Sequence, residues 1–147
     1  QIHLVIVGRH TEYTDKIERF IKENKLEERV HIISNVPFDD LPAFYQLAEI
    51  FVYPSRFEGF GIPIIEALYS DIPVVAATGS CLEEAGGPDS IYIHPDDIKG
   101  MANAFKQIYS DTERKKEMIE KGQKFAKRFS EEKQAEEILN IYKKLMK

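Results

Sequence analysis

Phe51-Val52-Tyr53-Pro54-Ser55-Arg56-Phe57-Glu58-Gly59-Phe60-Gly61-Ile62-Pro63-Ile64-Ile65-Glu66 changes its backbone preference twice within a short span. It opens with an apolar, β-type run and breaks at Pro54 and Ser55. It then passes two glycines and enters a helical stretch at Ile62-Pro63 that carries Glu66 in its first turns. The order is strand, loop, helix. Pro63 suits a first-turn position because its missing N–H costs nothing there, and the glycines ahead of it leave backbone N–H groups unshielded by side chains. Such a loop can receive an anion.

Two carboxylates frame the loop. Glu58 precedes the glycines and Glu66 follows them, with seven residues between, which sets one acid on the loop and the other about a turn into the helix. Carboxylates repel phosphate but accept hydrogen bonds from neutral hydroxyls. A ligand that satisfies all three features carries a diphosphate for the amides and hydroxyls on both sides of it, as a nucleotide-sugar does. Each feature alone has a plainer explanation. A Gly-Phe-Gly turn can serve only a positive φ, Glu58 can be a solvated loop residue, and Glu66 can lie on an exposed helix face.

Ser55, the Glu58 to Glu66 spacing and Gly59-Phe60-Gly61-Ile62-Pro63 together resemble the signature of the retaining nucleotide-sugar glycosyltransferases of GT-B architecture, which are built from two facing Rossmann-like domains. In that family the motif lies in the C-terminal, donor-binding domain. The resemblance runs along nearly the whole chain, through Leu4 to Gly8, Arg29 to Val36, Pro73 to Ala77, Glu83 to Gly86, and Phe129-Ser130 before the last helix. The wording from Pro54 to Glu66 is similar to that of mannosyltransferases that make surface polysaccharide.

A length of 147 residues suits one domain, 1–147, with a core of its own. The composition, 43% hydrophobic and 31% charged, is that of an ordinary globular protein. A net charge of −5 argues against sequence-independent nucleic-acid binding and against an anionic membrane surface, both of which need clustered cations. The one basic run, Arg114-Lys115-Lys116, alternates with Glu113 and Glu117 as a solvated helix face does. Cys81 is the only cysteine, so no intrachain disulfide forms, and no apolar run reaches membrane-spanning length or reads as a signal peptide. The expected location is cytoplasmic.

In chain order, Ile2 to Val7 is a nearly continuous β-branched run, which predicts a parallel strand covered on both faces. A helix to about Asn24 carries Tyr13, Ile17, Phe20 and Ile21 on one stripe. Strands follow at Val30 to Ile33, Ile50 to Tyr53, Val74 to Ala77 and near Ile91 to Ile93. Asp39 or Asp40 is expected to cap a helix with Pro42 in its first turn and Phe44, Leu47 and Ala48 facing inward. A helix to about Ser70 follows the glycine loop, and a short turn of helix lies around Leu82 to Ala85. Three closing helices carry apolar stripes that predict packing faces: Ile98, Met101, Ala102, Phe105, Ile108 and Tyr109; then Met118, Gly122, Phe125 and Phe129; then Ala135, Ile138, Leu139, Tyr142 and Leu145. Alternating strands and helices predict an α/β fold, a Rossmann-like parallel sheet with helices on both faces and right-handed crossovers. Ligands of such sheets bind beyond the carboxyl ends of the strands, here the loops Gly8 to Thr11, Ser34 to Pro37, Pro54 to Gly61 and Thr78 to Ser80.

The resemblance implies one further strand and helix upstream of Ile2, and in the 3-2-1-4-5-6 order that strand is the central one. Its absence, whether the segment is cut away, disordered or supplied by a partner, predicts a slot between the strand at Ile2 to Val7 and the strand at Ile50 to Tyr53, with unpaired backbone groups that invite strand pairing with another chain. Gln1 directly before a strand reads as the start of a piece of a longer two-domain enzyme, with the acceptor groove on an N-terminal domain.

The family's roles transfer residue by residue. Glu66 would bond the ribose hydroxyls. Glu58, the catalytic candidate, would hold a hydroxyl of the transferred sugar and place negative potential near the anomeric carbon. The amides of Gly59, Phe60, Gly61 and Ile62 would meet diphosphate and sugar, and Val36 and Leu41 would pack the base. The family commonly has Gly where this chain has Ser34, and its two phosphate cations, an Arg and a Lys, belong to the segment upstream. Glu83 matches a recurrent family residue expected to support its loop. The resemblance implies no cofactor and no catalytic metal; His3, His10, His31 and His94 show no ligand spacing. The function expected is transfer of mannose or another hexose from a nucleotide-diphospho-sugar to a glycan, with the isolated chain inactive. Two other readings stay open: a non-catalytic module that binds a nucleotide or phosphosugar, and a GT-B epimerase acting on the nucleotide-sugar itself.

Overall fold

Val74–Ala77 is apolar at every position, and such a strand needs cover on both faces. The computed structural model describes residues 2–146. Its strands are β1 (Leu4–Val7), β2 (Val30–Ile33), β3 (Phe51–Tyr53), β4 (Val74–Ala77) and β5 (Ile91–Ile93). Its helices are α1 (Glu12–Glu23), α2 (Leu41–Leu47), α3 (Ile62–Tyr69), α4 (Leu82–Gly86), α5 (Ile98–Ser110), α6 (Thr112–Ala126) and α7 (Glu131–Leu145). The chain divides into two compact units, one ending at Leu41 and one beginning at Pro42.

In the second unit β4 lies between β3 and β5, all parallel, with Phe51 opposite Val74 and Val75 opposite Ile91. Val74 and Ala76 turn to one face and meet Ile64, Ala67 and Leu68 of α3 and Leu82 and Ala85 of α4. Val75 turns to the other and meets Ala104 and Ile108 of α5 and Met118 of α6. Ile64, Leu82, Val74, Ile108 and Met118 are fully buried, each contributing about 1.5–3 kcal/mol by leaving water. Helices therefore cover both faces of this sheet, and its parallel strands send their outgoing loops to one end. Side-chain caps set the last three helices: Asp97 accepts from the Gly100 amide at 2.8 Å, Asp111 from the Arg114 amide at 2.8 Å, and Ser130 from the Lys133 amide at 3.3 Å.

In the first unit β1 and β2 form a two-stranded parallel ladder, Leu4 opposite Val30 through Val7 opposite Ile33. Leu4 N–H donates to Arg29 O and Gly8 N–H to Ile33 O, so alternate amides of β1 face β2 and those of Val5 and Val7 face away.

Several expected packing faces differ. Leu4, Val5 and Val7 are exposed rather than covered, because β1 has one partner strand and its ladder is only two strands wide. On α1, Ile21 is buried while Tyr13 and Phe20 stand in solvent. Asp39 and Asp40 form a 3-10 turn ahead of α2 instead of capping it, and Leu47 is exposed. On α5 the buried line runs through Met101, Ala104, Phe105 and Ile108, leaving Ile98, Ala102 and Tyr109 outside. The α6 stripe packs as expected through Met118 and Gly122, where a Cβ on Gly122 would lie 2.7 Å from Leu68 of α3. The α7 stripe does not: Ile138, Leu139, Tyr142 and Leu145 are exposed, since periodicity records that a face is apolar and not what lies over it.

Candidate functional site

The loop from Pro54 enters α3 through Gly61, whose φ of 101° lies in the left-handed region where an L side chain is strained. A Cβ there would also sit 3.0 Å from Leu82 Cδ2 and 3.3 Å from Ala85 Cβ, so α4 approaches the backbone itself. Gly59 is different, with open space around its Cβ position and no positive φ. Gly61→Ala is therefore expected to cost about 2–4 kcal/mol of stability and Gly59→Ala close to nothing. Thermal melts of the two variants check this, and equal melting temperatures would refute the close packing.

Pro63 occupies the first turn of α3, and Ile64 N–H donates back to Gly61 O at 2.9 Å. Among the described residues no acceptor takes the amides of Gly59, Phe60, Gly61 or Ile62. These N–H groups stand at the positive end of the α3 dipole, where an anion is stabilised by about 0.3–2 kcal/mol. The Phe60 side chain turns away to pack edge-on against Phe129, centroids 5.4 Å apart.

Both carboxylates are half-buried, and each accepts a hydrogen bond from a phenol. Tyr53 donates to Glu58 Oε1 at 2.7 Å, and Tyr45 donates to Glu66 Oε2 at 2.7 Å. The two phenols belong to one aromatic row. Phe51 and Tyr53 share a face of β3 with centroids 5.8 Å apart, and Tyr45, from α2, lies against Phe51 at 5.3 Å. Burial first, and then the bond to Glu58, pushes the Tyr53 phenol up to about 12, and the Glu66 charge adds to this. Burial and Glu66 push the Tyr45 phenol higher still. Both phenols thus keep their protons at neutral pH and are the donors in these pairs.

Other contacts hold the loop. Ser55 Oγ donates to Phe57 O at 3.2 Å, and Cys81 Sγ donates to Glu58 O at 3.2 Å, tying the loop to the start of α4. Arg56 forms a two-point ion pair with Asp96, which follows β5, and its guanidinium holds the Asp96 carboxyl below the usual range. Tyr92 donates to Gly87 O at 2.7 Å, and burial pushes its phenol up to about 12. Glu83 lies on α4, its main-chain carbonyl accepting from the Gly87 amide at 3.0 Å.

In the unit ending at Leu41, Val36 and Leu41 line an open cavity of about 220 Å³ together with Val7, Gly8, Arg9 and Asn35. The loops after β1 and β2 thus meet at the strands' carboxyl ends. Asn35 carries a φ of 60°, a conformation asparagine tolerates, so the turn here does not depend on a glycine at Ser34.

Among the described residues one group of metal-ligand side chains converges, which the sequence spacing had not suggested. The ligand atoms of His10, Asp15 and Glu18 lie within 4.8 Å of one another on an exposed surface of the same unit, with His10 Nε2 3.4 Å from Asp15. Glu58 and Glu66 are not part of it. His31 is exposed on β2, its Nε2 3.1 Å from His3 Nδ1.

The structure places Glu58, Gly59, Phe60 and Gly61 on the loop before α3 and Ile62 and Glu66 on α3, and sets Val36 and Leu41 in the cavity of the other unit. Sequence reasoning missed Tyr45, Tyr53 and Cys81 as partners of the two acids. The alternation of Phe51 and Tyr53 immediately before the loop was the available signal.

Residues 1–125 match the family described as Glycosyl transferases group 1. The chain is 31% identical over 142 residues to the O-antigen chain mannosyltransferase B of Escherichia coli, covering 97% of this chain and 37% of that protein. It is 35% identical over 106 residues to the O-antigen chain mannosyltransferase RfbU of Salmonella typhimurium, covering 72% of this chain and 30% of that protein. The chain thus spans about a third of the length of these relatives. Its fold superposes on Anabaena Alr3699/HepE, solved in complex with UDP, with a TM-score of 0.88 at 22% identity, over 97% of this chain and 41% of that one.

Proposed function

The chain belongs to the glycosyl transferases group 1 family, and we propose that it is the donor-binding half of a retaining glycosyltransferase. Its fold is that of the C-terminal Rossmann-like domain of GT-B enzymes. The proposed reaction moves a hexose, mannose foremost, from a nucleotide-diphospho-sugar to a glycan hydroxyl. The mannosyltransferase relatives support the choice of sugar, and the UDP complex of the similar structure supports the class of donor.

One observation carries the reading: unbonded amides at the start of α3 lie between two carboxylates anchored on a single aromatic row. The amides suit the diphosphate. Glu66 suits the ribose hydroxyls and Glu58 a hydroxyl of the sugar. In the transfer, the bond from the anomeric carbon to the phosphate oxygen breaks and a bond to the acceptor oxygen forms on the same face. The acceptor's proton passes to the departing diphosphate. Charge gathering on the leaving group meets the α3 amides, and the negative potential of Glu58 favours the cationic anomeric carbon. In this reading the acceptor groove and two phosphate-binding cations lie elsewhere in a longer protein. A hydrogen bond to a charged group contributes about 1.5–3 kcal/mol, so without those cations donor affinity falls by several powers of ten and the isolated chain does not turn over.

The test is titration of the full-length protein that carries these residues with UDP-glucose and GDP-mannose, followed by product analysis with and without a glycan acceptor. Transfer with the anomeric configuration preserved is the expected result. Binding with no product points to a non-catalytic module, and a changed sugar without acceptor points to an epimerase. Either outcome overturns the proposal.

A further inference from the structure

We propose that Tyr45 and Tyr53 are positioning residues, each phenol holding one oxygen of a carboxylate so that the other oxygen is presented to the donor. The inference rests on the reading above, in which Glu66 takes ribose hydroxyls and Glu58 a sugar hydroxyl.

A carboxylate has two oxygens and about four acceptor sites, so a bond from one phenol leaves ample capacity for a ligand. Each contact is 2.7 Å long with an ionised acceptor, which places it among the stronger hydrogen bonds of a protein. A free glutamate side chain loses rotamer freedom when it grips a hydroxyl. One already fixed by a partner has lost that freedom before the ligand arrives. The two phenols are fixed in turn, Tyr53 by its place on β3 and Tyr45 by its contact with Phe51. Phe51 makes no polar contact with either acid; it spaces the two donors. The same row therefore sets both ends of the site, which explains why Tyr53 feels the Glu66 charge as well as that of Glu58.

The two phenols act on different parts of the donor. Tyr45, through Glu66, governs the nucleoside end, which a free nucleoside diphosphate shares with the nucleotide-sugar. Tyr53, through Glu58, governs the sugar end, which the free diphosphate lacks. A phenol that only braced the loop would produce no such division.

The experiment uses the full-length protein, with UDP and GDP and their sugar conjugates UDP-glucose and GDP-mannose as probes. Phenylalanine variants remove a hydroxyl and keep the ring packed on Phe51. Tyr45→Phe is expected to lower affinity for diphosphate and conjugate alike by about tenfold. Tyr53→Phe is expected to leave diphosphate affinity as it is and lower kcat by about tenfold. Tyr45→Phe added to Glu66→Ala, and Tyr53→Phe added to Glu58→Ala, are expected to change nothing further, because each phenol acts only through its acid. Phenylalanine variants that bind and react as the parent, or losses that add in the double variants, overturn the positioning role while the donor reading stands if Glu66→Ala has lost its affinity. A Glu66→Ala variant that binds as the parent overturns the donor reading and this inference with it.

Discussion

Glu66→Ala is expected to weaken binding of the nucleotide-sugar to the full-length protein by about two to four powers of ten, since two hydroxyl bonds to a charged acceptor contribute about 1.5–3 kcal/mol each. The fold should survive. The core contacts of α3 come from Ile64, Ala67 and Leu68, which are buried, whereas Glu66 is only half-buried. The variant frees the Tyr45 phenol from its acceptor, at a cost of about 1 kcal/mol in stability if water replaces the carboxylate. Calorimetric titration with a thermal melt on the same sample separates the two effects. Parent-like affinity in a folded variant would remove the ribose role from Glu66.

Glu58→Ala is expected to act on the chemical step. Its carboxylate lies on the loop, anchored by Tyr53 through its side chain and by Cys81 through its carbonyl, so truncation to alanine leaves the Cys81 contact in place. In the role proposed for it beside the developing cation, losing this charge is expected to lower kcat by about two to three powers of ten, the range found when one electrostatic group is removed from an active site. Affinity for free UDP or GDP should hold, because neither carries the sugar hydroxyl that Glu58 would bind. Parallel measurement of kcat and of diphosphate affinity decides the matter: equal losses in both would make Glu58 a binding group alone.

Strand and helix positions followed closely from periodicity and punctuation. β4 spans the residues expected of it, α3 begins at Ile62 with Pro63 in its first turn, and the last helix follows Ser130. These are local properties, written in β-branching, in the missing amide hydrogen of proline and in side chains short enough to bond their own backbone. The packing faces were less legible. On α5 the buried line includes Ala104 rather than Ala102, because neighbouring side chains choose which of two adjacent apolar rows is covered. On α7 none of the apolar row is buried.

The sequence by itself determined the alternation of strands and helices, the glycine loop ahead of α3, and the spacing that sets Glu58 and Glu66 on either side of it. Each of these depends on residues close together along the chain. Only the tertiary structure decided that Tyr45 reaches Glu66 across 21 positions, that Cys81 reaches the Glu58 carbonyl across 23, and that a side chain on Gly61 would crowd Leu82. It also brought Val36, Leu41 and Gly8 around one cavity. Such contacts form where separate elements are pressed together by burial, and no local preference of either partner encodes the distance between them.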